Sequence, residues 1–174
     1  MRTVKPVLIV IVLSVVTTTA QDIPAPQPYE DADAYQIYSL LLSQEESYGL
    51  GEVLLINEVT IDGALSRKCL TPEAEKQFSD AIAASYRVGA KRFRLQRRFQ
   101  IKQPYKLYGP NSVVDPSAPT ITISAVGFNP VKTKAIVFIG SSCGGLCGHG
   151  TWHLLQKAHG KWIEVPGVTC FIAS

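Results

Sequence analysis

The chain has 174 residues, a formal charge of +3 and four cysteines. That length makes one domain and can bury a useful core without metals or cross-links. Arg2 and Lys5 supply two of the three net charges, so the rest of the chain carries about +1, and net charge gives no argument for nucleic-acid binding.

Behind Arg2 and Lys5 runs an apolar stretch from Val7 to Val16, broken only by Ser14, and Thr18-Thr19-Ala20 puts small residues where a signal peptidase cuts. Residues 1–20 therefore read as a secretory signal peptide, with a secreted or periplasmic product. A membrane-spanning helix needs about 20 apolar residues. This run is shorter and soon meets Pro24, Pro26 and Pro28, and no second apolar run is long enough to span. No transmembrane segment is expected after signal removal. Residues 21–30 read as a proline-rich tether, and residues 31–174 as a single α+β domain.

From Asp31 to Ser43 the apolar residues Ala34, Tyr35, Tyr38, Leu41 and Leu42 recur at helical spacing. Val53 to Ile56 reads as a buried strand running on to Val59. Thr71-Pro72-Glu73 is a helix start, with a capping hydroxyl, proline at the first position and acidic residues in the first turn. Phe78, Ile82 and Tyr86 continue one face, and Gly89 is the stop. Prolines mark residues 103–119 as irregular. Strands are then expected at Thr120 to Val126, Lys134 to Gly140, Gly150 to Lys157 and Lys161 to Val165, with His159-Gly160 as a tight turn. The expected fold is α+β, with two N-terminal helices packed on a C-terminal antiparallel β-meander.

Several C-terminal segments carry a resemblance: Val126-Gly127-Phe128-Asn129, the loop Cys143-Gly144-Gly145-Leu146-Cys147-Gly148-His149-Gly150, and Gly160-Lys161-Trp162. This pattern resembles a group of uncharacterised exported bacterial proteins. Ala34-Tyr35-Gln36-Ile37-Tyr38-Ser39 is similar to their first helix. The resemblance implies export and a bacterial source, and it implies no activity.

The cysteine-glycine loop is the most unusual local chemistry. Export makes disulfides the default for an even set of cysteines. Four cysteines allow three pairings, and the one adopted here joins Cys143 to Cys147 and Cys69 to Cys170. The glycines around the loop are expected to supply positive φ angles for a tight crossing. A metal centre is the sharper alternative, because Cys143, Cys147, His149 and His153 offer thiolate and imidazole ligands within eleven residues. The alternation of a strand puts His149 and His153 on one face. A turn at His159-Gly160 would pair residues 155 and 164, leaving Glu164 diagonally beside His153. A third reading is a catalytic thiol at Cys147 beside His149. Ser141 and Ser142 have no nucleophile-elbow context.

Charge is segregated: residues 22–80 hold twelve acidic and three basic residues. The bland explanation is mutual attraction of the two halves in the fold. Within the basic half, Lys91, Arg92, Arg94, Arg97 and Arg98 lead a segment that continues through Lys102 and Lys106 with no acid between. Phe93 and Leu95 alternate with Arg92 and Arg94, as in a strand with one wet face. Such a segment could bind phosphate groups or acidic glycans, or it could be a solvated surface. Glu58 and Asp62 are the carboxylates to inspect as an acid–base pair.

Three function classes follow. The leading one is a disulfide-stabilised binding or structural module of the bacterial envelope, not an enzyme, with no cofactor. Its partner is open, an anionic envelope component being one candidate and nucleic acid not expected. The others are a metal- or thiol-dependent enzyme centred on Cys143–His153, and an anion-binding module using residues 91–106.

Overall fold

The computed structural model describes residues 25–44, 53–63, 65, 69–115, 118–142, 148–168 and 171–173, the last of these as backbone. The expected signal peptide, Cys143, Cys147 and Cys170 lie outside the described residues.

The first strand, β1 (Gln27–Pro28), precedes α1 (Ala32–Gln44). The Asp31 carboxylate opens α1 by accepting from the amides of Asp33 and Ala34 at 3.0 and 3.3 Å, the usual service of an aspartate at a helix start. The five apolar residues expected on one face of this helix are all buried. After β2 (Leu54–Asn57) come α2 (Pro72–Gln77) and α3 (Ser79–Gly89). The Thr71 hydroxyl accepts from the Ala74 amide at 3.2 Å, and Pro72 opens α2. The two helices meet at Phe78, which is buried. Tyr86, expected on the buried face, is 42% exposed, and its hydroxyl instead donates to the Leu65 carbonyl at 2.8 Å.

The remaining strands are β3 (Phe93–Arg94), β4 (Tyr105–Tyr108), β5 (Thr120–Ile123), β6 (Gly127–Phe128), β7 (Lys134–Ser142), β8 (Gly148–Ala158), β9 (Lys161–Val165) and β10 (Phe171–Ala173). The main sheet has eight strands in the order β10-β8-β7-β5-β2-β4, with β6 on β7 and β9 on β8. This overturns the expected architecture of two N-terminal helices on a meander. The sheet is mixed, because β2 runs parallel to both β4 and β5. Only its C-terminal part is an antiparallel meander. The helices also lie on opposite faces. One core unites α1 with Val137, Ile139, Leu155 and Trp162, while the other unites α2 and α3 with Ile136, Phe138, Trp152 and Leu154. Along β7 the alternation of a strand sends successive side chains to the two cores.

The strand expected at Thr120 to Val126 stops at Ile123, and pairing with β7 resumes only at Gly127, for a countable reason. Ile123 pairs with Ile139, and Gly127 pairs with Ile136. Four steps on one side face three on the other, which is a β-bulge. Ser124 satisfies the displaced backbone: its hydroxyl accepts from the Phe138 amide at 2.9 Å, and its carbonyl accepts from the Tyr38 hydroxyl at 2.9 Å. At the turn, His159 and Gly160 both have positive φ, 49° and 76°, as a type I′ hairpin requires. No helix among the described residues is long and apolar enough to cross a membrane.

Candidate anion-binding face

The basic segment begins where α3 ends. Lys91, Arg92, Arg94, Arg97, Arg98, Lys102 and Lys106 are all exposed, whereas Leu95 and Phe99 between them are buried. The aromatic residues of this stretch are core. Phe93 packs on Tyr29 with ring centroids 5.0 Å apart, and Phe99 lies 5.4 Å from Tyr35 and 5.3 Å from Tyr105.

The backbone beneath the cations is held from three sides. β1 pairs in parallel with β3. The Phe93 amide donates to the Thr60 hydroxyl at 2.9 Å, and the Leu95 amide donates to the Glu58 carbonyl at 2.7 Å. From α1, the Tyr35 hydroxyl accepts from the Gln96 amide at 2.7 Å, and the Ser39 hydroxyl accepts from the Gln100 amide at 2.8 Å. Burial pushes the phenols of Tyr35 and Tyr38 up, and Tyr29 up to about 12, so these anchors stay neutral at ordinary pH. The end of the segment read as a tether is thus docked into the fold: Tyr29 is buried, and its hydroxyl accepts from the Val126 amide at 3.0 Å. A proline-rich composition gave no sign of that docking; the lone tyrosine ahead of a capped helix was the available signal.

The expected attraction between the halves of the chain bypasses this segment. Asp31 pairs with Lys132 at 2.8 Å and Asp33 with Lys157 at 2.7 Å, fastening the start of α1 to the C-terminal strands. Among the described residues, none of the seven cations from Lys91 to Lys106 forms an ion pair. Arg98 donates to the Glu30 carbonyl at 3.3 Å and stacks 5.9 Å from the Tyr35 ring.

Two clefts border the segment. One, of 520 Å³, lies between Ala25, Pro26 and Gln27 on one side and Ala90, Lys91, Arg92 and Phe93 on the other. The second, of 380 Å³, is lined by Ala32, Tyr35, Gln36, Arg98 and Gln100.

The rival site is different. Cys143 and Cys147 lie outside the described residues. His149 is exposed, with its Nδ1 3.1 Å from the Ser141 hydroxyl. His153 is buried, with its Nδ1 2.7 Å from Glu164 Oε1 and its Nε2 buried without a hydrogen-bond partner among the described residues. The 155–164 pairing expected from the turn is present. Among the described residues no group of three or more His, Cys, Asp and Glu could hold a metal. The positive φ expected of the glycines around this loop is absent at Gly140 and Gly150. These two sit opposite each other on β7 and β8, and a Cβ on Gly150 would collide with the Phe138 ring. They are small to make room for that ring. Nor do Glu58 and Asp62 converge: the Glu58 carboxylate lies against Gly109 and that of Asp62 against Gly89. Cys69 is disulfide-bonded.

Compared with protein-family models, curated proteins and solved structures, the chain matches none.

Proposed function

We propose that the chain is an exported, disulfide-stabilised binding module that captures an anionic component of the bacterial envelope on its basic segment 91–106. One observation carries this reading. The cations of that segment are exposed, form no ion pair among the described residues, and ride on a backbone pinned by buried tyrosine and serine hydroxyls. A basic surface that only balanced the acidic half would spend its cations on Asp31, Asp33 and their neighbours. Those carboxylates pair elsewhere. A pinned backbone also reduces the ordering cost of binding. Export rests on the signal-peptide pattern of residues 1–20. For the staples, Cys69 with Cys170 and Cys143 with Cys147 remains the pairing adopted. The first pairing is supported by the antiparallel bridge between Leu70 and Val168, which brings the chain next to Cys69 close to the chain two residues before Cys170.

The test is anisotropy of labelled inorganic polyphosphate against the chain lacking residues 1–20, over a range of sodium chloride concentrations. Binding should weaken linearly in log–log form as salt rises, through counterion release. The variant K91E/R92E/R94E/R97E should lose it. Equal binding by that variant, or none by the wild type at low salt, overturns the reading.

A further inference from the structure

We propose that the 520 Å³ cleft beside Phe93 takes a small amphiphilic anion, an anionic headgroup on an alkyl chain, with the headgroup on Lys91 and Arg92 and the chain against Phe93, Pro26 and Ala90. The inference rests on the anion-binding reading for the headgroup and goes beyond it for the chain.

The lining divides by chemistry. Among the described lining residues, Lys91 and Arg92 are exposed cations, Gln27 is polar and uncharged, and Ala25, Pro26, Ala90 and Phe93 are apolar. Among the described residues no carboxylate lines the cleft. A purely hydrophilic anion would find two cations and leave most of the walls unused. A neutral apolar molecule would leave the cations idle. An amphiphilic anion uses both. The volume falls within the range of about 300–1,000 Å³ usual for small-molecule sites.

The walls are also held in place. Gln27 pairs with Phe93 and Pro28 with Arg94 in the β1–β3 ladder, and the Tyr29 amide donates to the Arg94 carbonyl at 2.8 Å. Phe93 is fixed by its packing on Tyr29. Cations just past the end of α3 suit the helix dipole, which is reason enough for Lys91. The dipole does not account for the apolar walls that face it.

The experiment is calorimetric titration with n-alkyl phosphates from methyl to decyl, each below its micelle concentration, beside inorganic polyphosphate. Affinity should rise about three- to fourfold per added methylene until the cleft is full. Ala90 is exposed and in the αR region at the end of α3, so Ala90→Trp fills the cleft without burying the new ring in the core. It should flatten the chain-length dependence and leave polyphosphate binding intact. The pair K91E/R92E should weaken every chain length. Matched alkyl carboxylates separate a phosphate-bearing source from a fatty-acid source, and either supports the site. Phosphates that bind with no chain-length dependence would overturn the cleft proposal and leave the anion-binding reading standing. Alkyl alcohols that bind as tightly as the phosphates would also overturn it. Failure of both polyphosphate and alkyl phosphates sinks both readings.

Discussion

Among the described residues the imidazole of His153 is bonded on one side: Nδ1 meets Glu164 Oε1 at 2.7 Å across the β8–β9 hairpin, while Nε2 is buried and meets no partner there. Losing one partner of a buried polar pair costs more than losing both. Glu164, 38% exposed in its side chain, returns to water if the ring is removed. His153→Leu should therefore be nearly neutral or stabilising. Glu164→Ala leaves a buried ring with neither nitrogen bonded and should cost about 1–3 kcal/mol. Urea midpoints of the two variants decide it, and a larger loss for the leucine variant would show that the ring has a role beyond this pair.

Asp33 joins α1 to the C-terminal hairpin. Burial pushes its carboxyl pKa up, but bonds from the Lys157 ammonium and the Trp162 indole outweigh that and hold it below its ordinary value. A carboxyl whose folded pKa is depressed stabilises the fold above its unfolded pKa, and the gain disappears as pH falls through the folded value. Asp33→Asn should thus lower stability at neutral pH, and its deficit against the wild type should shrink below about pH 3.9, the unfolded value. Denaturant unfolding at intervals from pH 7 to pH 2 measures this gap. A gap that stays constant over the whole range would show that the ionic part contributes nothing.

Helix and sheet meet backbone to backbone at Gly127. A Cβ there would collide with the Ala81 carbonyl oxygen and the Ser85 backbone nitrogen, so α3 rests directly on the backbone of β6. Neither neighbour is a flexible side-chain end. Gly127→Ala should destabilise by about 1–3 kcal/mol through overpacking. Gly160→Ala is the control: its site is open, with φ at 76°, and it should cost about 1–2 kcal/mol from backbone strain alone. The two variants separate by their readout. Amide exchange in α3 should accelerate locally in the Gly127 variant and not in the Gly160 variant.

Local patterns in the sequence carried the parts of the fold that form locally. The apolar stripe of α1, the cap at Thr71-Pro72 and the His159-Gly160 hairpin each depend on residues a few positions apart. From that hairpin the register followed, and with it the meeting of His153 with Glu164. The parallel pairing of β2 with β4 and β5 joins strands some fifty residues apart and more, and no short-range signal encodes it. β4 was hidden because Pro104, Gly109 and Pro110 bracket a four-residue strand. The basic segment was legible as charge, but its lack of ion partners among the described residues was not, since Asp31 and Asp33 could be assigned to Lys132 and Lys157 only in three dimensions. Glycines at 140 and 150 looked like loop chemistry and instead accommodate one aromatic ring.

Cys69 is disulfide-bonded, with its partner outside the described residues. The bridge from Leu70 to Val168 makes Cys170 the expected one. Peptide mapping without reduction should recover a fragment linking positions 69 and 170. A loop of about 100 residues contributes up to about 4.7 kcal/mol by chain entropy. Cys69→Ala should lower stability by no more than that, and under reducing conditions the wild type and the variant should fall to about the same level. A linked fragment containing position 143 or 147 instead would reassign both staples.

Tyr29 sets an alkaline limit. Burial is the main cause that raises its phenol from about 10 to about 12, against a lowering bond from the Val126 amide. A group whose folded pKa is raised stabilises fully below its unfolded pKa, and the gain is lost as pH rises through the folded value. Tyr29→Phe removes the acceptor for a buried amide and should cost about 1–3 kcal/mol at neutral pH. Above about pH 10, where the unfolded wild type begins to ionise, the gap between the two proteins should narrow, and it should approach a plateau past pH 12. Phenolate absorbance followed together with circular dichroism gives the check. Ionisation of Tyr29 in a chain that keeps its native spectrum near pH 10 would mean that the phenol is not held neutral by burial, and the backbone under the basic segment would lose one of its fixed anchors.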